Sequence, residues 1–576
     1  MRKLRRVIVV LVVLALVVAV LRSSFGRGPG VRPGSLLVVD LEGEYVNEPA
    51  VPLLDRLTGR ERHPLPQLLS DLRKAERDTR ISNVLFRVRG VQLGWGKAQE
   101  LRDAIASLRE SGHHTIAYLE VESFSGNLEY YLASAADEVW MAPGTRAPLV
   151  GLAAEYFFLG GFFEKLGVQV EVERIGRFKT AADMFSAKGM SDAFQEMSNS
   201  LLDSIDGQFV SGIAERRKLS EDEVRAAIDA APMSPAEFQA RKLIDGVAFE
   251  DELIQRLGDP PQVEEGSYAA VDPKSVGFQP VATLAVVFGT GGVVSGKDGG
   301  GSGRSQLASQ TISKALLDAA DDSSVKAIVF RVDSPGGSAL ASDVIWRATQ
   351  EARKKGKPLV VSMSDVAASG GYYVSCGADA VVAEPGTLTG SIGVFVLRPV
   401  LAGLLDKLGI GYASLQRGAH ADVLLGTKPL DPDTRARLAA DVKSVYDLFV
   451  ERVAEGRKLP AAQVDAIGQG RVWTGEQAVK LGLVDAVGGL RTAVDLAKEK
   501  AGLGRKADVI LRSYPAPKPL AEQIRDALQG TAARALDERA WAELPLPAGV
   551  REIAGWLASV PEGAPVLLPP ASIRIR

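Results

Sequence analysis

Cysteine and histidine are scarce in this sequence. Of its 576 residues one is a cysteine, Cys376, and four are histidines. A single cysteine excludes an intramolecular disulfide framework and a cysteine-based zinc site. The surroundings of Cys376 are typical of a small buried helix residue, so a reactive thiol is the weaker interpretation.

The chain also lacks an excess of charge of either sign. It carries 68 basic and 71 acidic residues, which gives a formal net charge of −3. Nucleic-acid binding needs a clustered positive surface, so this balance argues against nucleic acid as a partner. Hydrophobic residues make up 46% and charged residues 24% of the chain, which suits a globular protein long enough for several domains.

One long apolar run is found, at the amino terminus. Residues 7–21 contain no polar side chain and follow a basic start that includes Arg2 and Arg6. A full membrane span needs about 20 apolar residues, and snorkelling arginines at both ends can extend this shorter run. Because no small-x-small cleavage motif precedes Arg22, we favour an uncleaved anchor over a removed signal peptide. The basic end would stay in the cytoplasm and the remainder would lie outside the inner membrane.

Strand patterns alternate with helical patterns through the first part of the chain. Buried-strand patterns occupy residues 35–41, 84–88 and 115–119, and helical patterns occupy 68–75 and 101–109. This alternation favours a mostly parallel sheet covered by helices. The predicted fold class is therefore α/β.

The same order of segments recurs later in the chain, which indicates an internal duplication. Matching segments keep offsets of 240 to 244 residues, and loop insertions and deletions explain the small drift. The matched pairs are 84–88 with 328–332, 130–137 with 372–379, 143–145 with 385–387, and 209–219 with 449–459.

The duplication predicts four regions. They are an N-terminal membrane anchor and linker at 1–34, a first repeat at 35–278, a second repeat at 279–513, and a C-terminal tail at 514–576 with one helix at 520–536. Near the start of the second repeat, residues 291–304 are rich in glycine and serine and predict a flexible surface loop.

A serine followed by two glycines marks the second copy. Residues 359–363 predict a strand and 372–380 a helix, and Ser369 lies at the tight junction where a hydroxyl can sit beside free N–H groups. Taken alone, this stretch favours an ordinary small-residue turn at the start of a helix. In the first copy Asn127 replaces Ser369, and the paired glycines of 333–337 are also missing. The copies therefore favour one chemical site per chain.

A serine hydroxyl needs a proton acceptor before it can attack a carbonyl carbon. None of the four histidines lies in a glycine-flanked strand-to-helix context, although a Ser-His-Asp arrangement stays open. Lysine can replace histidine when burial lowers its pKa. Lys179 lies in an unusually apolar segment, and Ala421 stands at the matching position of the second copy. Because each copy keeps one of the two groups, we expect Lys179 and Ser369 to meet in a site assembled across both halves.

These features resemble the signal peptide peptidase A family, also called protease IV, in its long duplicated form. The resemblance rests on motifs at residues 178–181, 333–338, 365–372 and 387–394, and on the apolar amino terminus. It reaches from the amino terminus to about residue 500 and leaves the tail unmatched.

The resemblance implies tandem crotonase-like (Clp-protease-like) domains behind a single N-terminal membrane anchor. In that family Ser369 would be the nucleophile and Lys179 the general base. We expect Asp333 and Asp365 to cap their loops rather than transfer protons. A homo-oligomer, a tetramer, would lie on the periplasmic, extracytoplasmic side of the inner membrane. Its substrates would be hydrophobic peptides, notably signal peptides already cut from exported proteins. No metal or organic cofactor is expected.

The supporting residues follow from that assignment. An acyl-transfer site needs N–H donors for its developing oxyanion. Gly370, directly after the nucleophile, can supply one donor, and the turn of Gly336 and Gly337 can supply another. The resemblance gives Ser391 the task of hydrogen-bonding and orienting Lys179.

Two other functions stay open at this point. The same fold class includes acyl-CoA enzymes that stabilise an enolate in a glycine-rich oxyanion hole, which predicts a CoA-binding surface and carboxylate acid–base groups. A catalytically inactive membrane scaffold is the second. The first leaves Lys179, Ser369 and the apolar amino terminus unexplained, and the presence of both residues argues against the second.

Overall fold

The computed structural model describes residues 30–48, 62–297 and 306–516, together with the backbone of a two-residue strand, Val566–Leu567. The apolar run at 7–21 and the helix predicted at 520–536 lie outside the described residues. Within the described ranges, no helix combines the length and the apolar character needed to cross a bilayer.

The first half contains eight described strands and ten described α-helices. The strands are β1 (Ser35–Val46), β2 (Arg62–Pro64), β3 (Ile81–Gln92), β4 (His114–Leu119), β5 (Glu138–Met141), β6 (Gln169–Ile175), β7 (Gly246–Val247) and β8 (Gln262–Glu264). The helices are α1 (Leu65–Ala75), α2 (Trp95–Glu110), α3 (Asn127–Ala133), α4 (Gly160–Leu166), α5 (Asp183–Ser186), α6 (Asp192–Arg217), α7 (Glu221–Asp229), α8 (Pro235–Ala240), α9 (Glu250–Arg256) and α10 (Glu265–Tyr268).

The second half follows the same plan. Its described strands are β9 (Ala282–Thr290), β10 (Val293–Val294), β11 (Leu307–Ala308), β12 (Val325–Ser334), β13 (Gly337–Ser338), β14 (Leu359–Ala368), β15 (Ala380–Ala383), β16 (Leu388–Gly390), β17 (Val394–Val400), β18 (Val472–Thr474), β19 (Ala486–Val487), β20 (Val509–Tyr514) and β21 (Val566–Leu567). Its described helices are α11 (Ser309–Asp321), α12 (Ala339–Lys354), α13 (Gly370–Ser375), α14 (Ala402–Lys407), α15 (Pro432–Arg457), α16 (Ala461–Ile467), α17 (Gly475–Lys480) and α18 (Leu490–Lys500).

A mostly parallel sheet forms the centre of each half, which confirms the α/β prediction. The first sheet runs β2-β1-β3-β4-β5-β7 with β8 against β1, and the second runs β18-β16-β14-β12-β9-β20 with β15 against β14. Within β3, Val84 and Phe86 pack into one apolar core while Leu85 packs into another on the opposite face. A strand covered on both faces must be apolar throughout, which explains the continuous hydrophobic runs.

The duplication is visible in matching details of the two halves. Helices α6 and α15 each have 26 residues, and both end at a lysine in the left-handed conformation, Lys218 and Lys458. The buried hydroxyl of Tyr130 donates to a leucine carbonyl 2.7 Å away, and Tyr372 does the same at 2.9 Å. The residue boundaries given above for the two repeats remain predictions.

Two local predictions are wrong. Residues 291–304 are not simply a surface loop, because Val293–Val294 forms the buried strand β10 beside the glycine turn, while 298–305 lie outside the described residues. The helix predicted at 372–380 begins earlier, at Gly370, and ends at Ser375. It must end there because the apolar run that starts at Ala380 enters the parallel sheet as β15.

A third sheet joins the two halves. Its order is β11-β10-β13-β21-β17-β6, so it combines β6 of the first half with strands of the second. Strands β6 and β17 pair antiparallel over seven residues, from Ile175 opposite Val394 to Gln169 opposite Val400. This pairing fixes the end of β6, and with it the loop that carries Lys179, against the second half.

Candidate active site

Ser369 occupies a sharp turn between β14 and α13. Its backbone has φ 54° and ψ −112°, a region that non-glycine residues rarely adopt and that costs about 1–3 kcal/mol. The Ser369 N–H donates to the carbonyl of Gly390 at 2.8 Å, which holds the turn against β16. The side chain is completely buried. The strained turn thus points a serine hydroxyl into the interface between the halves.

Lys179 reaches that hydroxyl from the first half. It follows β6 on a short loop and, like Ser369, is completely buried. Its Nζ lies 2.7 Å from Ser369 Oγ and 3.0 Å from both the carbonyl oxygen and Oγ of Ser391. The structure therefore brings together Lys179 and Ser369, each of which is present in one copy of the repeat and missing from the other. It also places Ser391 in contact with Lys179, as the family resemblance predicts.

The environment of Lys179 favours an uncharged amine. Burial lowers the pKa of Lys179 well below its usual value, and desolvation is the cause. The three oxygen atoms around Nζ belong to hydroxyl and carbonyl groups, which carry no formal charge to compensate an ammonium ion. A neutral amine within hydrogen-bond distance of a hydroxyl can accept its proton.

Backbone hydrogen bonds fix the position of Ser391 and of the motif around it. It lies between β16 and β17 with φ 52°, and its N–H donates to the carbonyl of Arg471 at 2.7 Å. Upstream in the same motif, Thr387 and Thr389 donate their hydroxyls to carbonyls of β14, at 2.6 and 2.8 Å. The motif at 387–394 therefore ties the strand that ends at Ser369 to the group that contacts Lys179.

A tight backbone contact fixes the Lys179 loop. The N–H of Phe178 donates to the carbonyl of Gln469 at 2.7 Å, and Gly470 lies directly against Lys179. A Cβ atom on Gly470 would lie 2.5 Å from the Lys179 backbone nitrogen, and the residue has φ +77°. Only glycine fits this position without moving the lysine.

The glycine turn of the second half packs against the start of α13. Gly336 and Gly337 have φ angles of 106° and 156°, and the N–H of Gly336 donates to Ser334 Oγ at 3.2 Å. A Cβ atom on Gly370 would lie 3.0 Å from the nitrogen of Gly337. The backbones of Gly337 and Gly370 therefore adjoin, whereas the N–H of Gly336 is used inside the turn.

Asp333 and Asp365, the aspartates that begin the motifs at 333–338 and 365–372, contact helix α2 of the first half. Asp365 accepts hydrogen bonds from the backbone N–H groups of Gly94 and Lys97 at the start of α2, and thereby caps that helix. The ammonium of Lys97 lies 2.8 Å from Asp333 and 2.9 Å from Asp365. Burial alone would lower the pKa of Lys97, but the two carboxylates raise it above its usual value. The lysine therefore stays charged.

A second ion pair crosses the same interface. Glu100, one turn after Lys97 on α2, lies 2.6 Å from the guanidinium of Arg331 on β12, and both side chains are buried. Arg331 also donates to Asn47, at 2.9 Å, and to serine hydroxyls of β14. Because the buried guanidinium of Arg331 has hydrogen-bond acceptors on all these sides, we interpret it as a structural group rather than a catalytic one.

The histidines contribute nothing to this site. Three of the four form hydrogen bonds elsewhere: His113 to the Ile81 carbonyl, His114 to Glu138 and His420 to Thr434. His63 contacts the ring of Tyr45. In the part of the chain that the structure describes, no group of histidine, cysteine and acidic residues is arranged to hold a metal ion.

The sequence pattern did not identify Lys97 or Gly470 as residues that support the site. Lys97 lies near the start of a helix with a glutamate three residues later, a pattern typical of a solvated surface. Gly470 is one of 59 glycines, and its contact with Lys179 joins segments far apart in the chain. A glycine carries no side-chain group whose loss from one copy could be noticed, and the segment around Lys97 gives no sign of its charge partners Asp333 and Asp365.

Comparison with known proteins finds two matching segments, one in each half of the duplicated chain. Peptidase family S49 matches residues 108–264 and 351–504, one segment in each half. The chloroplastic serine protease SPPA of Arabidopsis thaliana is 36% identical over 502 residues, covering 84% of this chain and 72% of that protein. Protease 4 of Salmonella typhi is 30% identical over 538 residues, covering 89% of this chain and 85% of that protein.

Solved structures give more distant matches. The 1510-N membrane-bound stomatin-specific protease is 18% identical with a TM-score of 0.27, covering 41% of this chain and 99% of that chain. ClpP1 from Listeria monocytogenes is 15% identical with a TM-score of 0.22, covering 35% of this chain and 89% of that chain.

Proposed function

Because this chain belongs to peptidase family S49 and is a serine peptidase, we propose that it cleaves peptide bonds with a dyad of Ser369 and Lys179. The observation that carries the proposal is the 2.7 Å separation of Lys179 Nζ from Ser369 Oγ. Burial of the amine supports it, because desolvation lowers the pKa of Lys179 and so favours the neutral form that can act as a base.

In the proposed reaction, neutral Lys179 takes the hydroxyl proton while Ser369 Oγ attacks the carbonyl carbon of the scissile bond. The resulting ammonium returns a proton to the leaving amine, and an acyl-enzyme remains. Lys179 then activates a water molecule that hydrolyses this ester. Ser391 orients the amine through two contacts of 3.0 Å.

The developing oxyanion needs preorganised N–H donors. We assign this role to Gly370, at the start of α13, and to Gly337, whose nitrogen adjoins it. Gly336 shapes the turn instead, since its N–H donates to Ser334 Oγ. This refines the expectation that either glycine of the turn could be the second donor.

Substrate, location and assembly rest on the family resemblance. We propose that the substrates are hydrophobic peptides, notably remnant signal peptides released from exported proteins. Residues 1–34 would anchor a homotetramer to the inner membrane with its catalytic part on the extracytoplasmic side. Each repeat would have the crotonase-like, Clp-protease-like fold.

A fluorophosphonate probe tests the dyad. Labelling should vanish in Ser369→Ala and fall by about 10³-fold or more in Lys179→Ala, because the serine loses its base. Lys188→Ala is the matched control, since that lysine is two-thirds exposed and pairs with Glu164 on the surface. Labelling that ignores both dyad substitutions would refute the proposal. So would an unaltered protein that takes up no label, which is the result that an acyl-CoA enzyme or an inactive scaffold would give.

A further inference from the structure

The ammonium of Lys97 is shared by the two turns that carry the proposed catalytic groups. It lies 2.8 Å from Asp333 and 2.9 Å from Asp365. Asp333 stands four residues before Gly337, the proposed oxyanion donor. Asp365 stands four residues before Ser369, the proposed nucleophile. One cation from the first half therefore contacts the beginning of both turns in the second half.

Backbone and amide donors tie the two carboxylates to the elements around them. Asp333 Oδ1 accepts a hydrogen bond from the N–H of Val366 at 3.2 Å, and its Oδ2 accepts one from Asn47 Nδ2 at 2.7 Å. Asp365 accepts a hydrogen bond from the backbone N–H of Lys97 itself, at 2.8 Å. Because each carboxylate is fixed to its strand in this way, a shift of the carboxylate moves the turn that follows it.

The charges of this cluster are poorly screened. The side chains of Asp333 and Asp365 are 13% and 15% exposed, and that of Lys97 is 10% exposed. Two carboxylates that share one ammonium repel each other once the ammonium is removed, and the repulsion is stronger where little water is present. The spacing of the two turns at their beginnings therefore depends on the cation between them.

The same two turns also touch at their far ends. A Cβ atom on Gly371 would lie 2.5 Å from the carbonyl oxygen of Ser334, and one on Gly370 would lie 3.0 Å from the nitrogen of Gly337. Closely packed segments transmit a displacement instead of absorbing it. A misplacement of about 1 Å between reacting groups can cost about 100-fold in rate, so a small spread of the turns would be felt in catalysis.

The two copies divide these charges in the same way as the proposed dyad. The lysine belongs to the first copy and the aspartates belong to the second. At the 244-residue offset the replacements in the other copy are Ala341 for Lys97, Arg89 for Asp333 and Val121 for Asp365. The strand bridges of the two copies keep this offset at residues 122 and 366. The cluster therefore forms where the first half meets the turns that carry the proposed site.

From these observations we infer that Lys97 is a positioning residue for the proposed reaction, because its ammonium sets the distance between the Gly337 N–H and the Ser369 hydroxyl. The inference rests on the proposed function, which assigns those two groups. Lys97 acts through Asp333 and Asp365 rather than on the substrate. Its removal should impair the transition state more than substrate binding, since the transition state needs the donor and the nucleophile together.

Cleavage of a fluorogenic trileucine peptide by the full chain tests this role. Lys97→Met should lower kcat by about 100-fold while KM stays within about twofold of the unaltered value. Lys74→Met is the matched control, because that lysine is also buried and pairs with Asp71 of the first half at 2.7 Å. The control should lose a comparable amount of stability in urea unfolding and keep its kcat within about twofold.

A trileucine boronate separates positioning from general damage. Its boron atom bonds to Ser369 Oγ, and a boron-bound oxygen then takes the place of the oxyanion, so it mimics the transition state. Its Ki should rise about 100-fold in Lys97→Met, in step with the loss of kcat. The Ki of trileucine amide, which forms no such adduct, should stay constant, and neither Ki should change in Lys74→Met.

An unchanged kcat in folded Lys97→Met would overturn the inference, and so would an equal loss in Lys74→Met or a loss confined to KM. If Lys97→Met does not fold, Asp333→Asn and Asp365→Asn decide, because each keeps the side-chain shape and leaves the ammonium one carboxylate. Each should lower kcat about tenfold, and full activity in both would overturn the inference. Cleavage that persists in Ser369→Ala would instead refute the proposed function, whatever the Lys97 variants show.

Discussion

At Ser369 and Lys179 the molecule maintains two unfavourable states side by side. Ser369 has a backbone conformation that L-residues avoid, and Lys179 has given up the hydration of its charged form. Neither feature stabilises the fold, yet both suit a nucleophile and its base. Activity should rise with pH as Lys179 loses its proton, so a rate that is flat from about pH 5 to 9 would contradict a lysine base.

The buried amine also predicts how stability depends on pH. The unfolded lysine has a pKa near 10.4, whereas burial lowers the folded value. Between the two values the unfolded state binds more protons, so stability rises with pH by up to about 1.4 kcal/mol per unit. Lys179→Met removes this dependence. The variant should therefore be more stable than the unaltered protein at pH 7, by a margin that shrinks toward pH 10.

Urea unfolding at several pH values measures that margin, with Lys188→Met as the control for an exposed lysine. Parallel pH dependences for the unaltered protein and Lys179→Met would show that the amine is charged in the folded state. The proposed base would then be wrong, whatever the geometry of the site.

Among the elements of the fold, the Lys179 loop depends on its contact with Gly470. We expect Gly470→Ala to lower kcat by about 100-fold, because a Cβ 2.5 Å from the Lys179 nitrogen must displace Lys179, the proposed base. Gly112→Ala is the matched control. It has a similar φ of +97° with no atom within 4 Å of the added Cβ, so it imposes backbone strain without displacement.

Peptidase assays and urea unfolding of both glycine variants separate the two effects. Comparable losses of stability with a loss of activity confined to Gly470→Ala would support a positioning role for the contact. If Gly112→Ala lost as much activity, general strain would be the explanation.

Helix α2 depends on Lys97 for its contact with the catalytic turns. Replacing one partner of a buried ion pair leaves the other uncompensated and typically costs about 3–5 kcal/mol. Lys97→Met leaves Asp333 and Asp365 together without a cation, so we expect a loss of that size in urea unfolding. Lys314→Met is the control, because this exposed lysine pairs only with Asp318 one turn away and should cost under about 1 kcal/mol. Equal effects would show that the Lys97 cluster is dispensable.

At the scale of helices and strands, some features could be predicted from the sequence and others could not. The centre of β3 was evident because Val84, Leu85 and Phe86 are consecutive apolar residues buried on both faces of the sheet. Ser369 and Lys179 were found because each is a chemical group missing from the other copy. Lys97 was not identified, because its partners Asp333 and Asp365 lie more than 200 residues away and only folding brings them together. Strand β21 was not identified either, because two residues in a proline-rich tail form no periodic pattern.

In the whole molecule, the duplication places the two halves of the candidate site in a single chain. Each half has its own sheet and core, but neither half contains both Lys179 and Ser369. The antiparallel pairing of β6 with β17 and the Glu100–Arg331 pair hold the halves in one arrangement. Catalytic geometry is therefore set inside one chain, even if several chains assemble.

That conclusion predicts the outcome of mixing two inactive variants. Lys179→Ala chains keep Ser369, and Ser369→Ala chains keep Lys179, so mixed oligomers contain both groups but never in one chain. Because the 2.7 Å contact joins residues of the same chain, co-assembly should restore no peptidase activity beyond the sum of the two variants. Mixtures of either variant with the unaltered protein should retain activity in proportion to the unaltered chains. Restored activity would mean that the lysine of one chain serves the serine of its neighbour, and the duplication would then have some other role than completing the site.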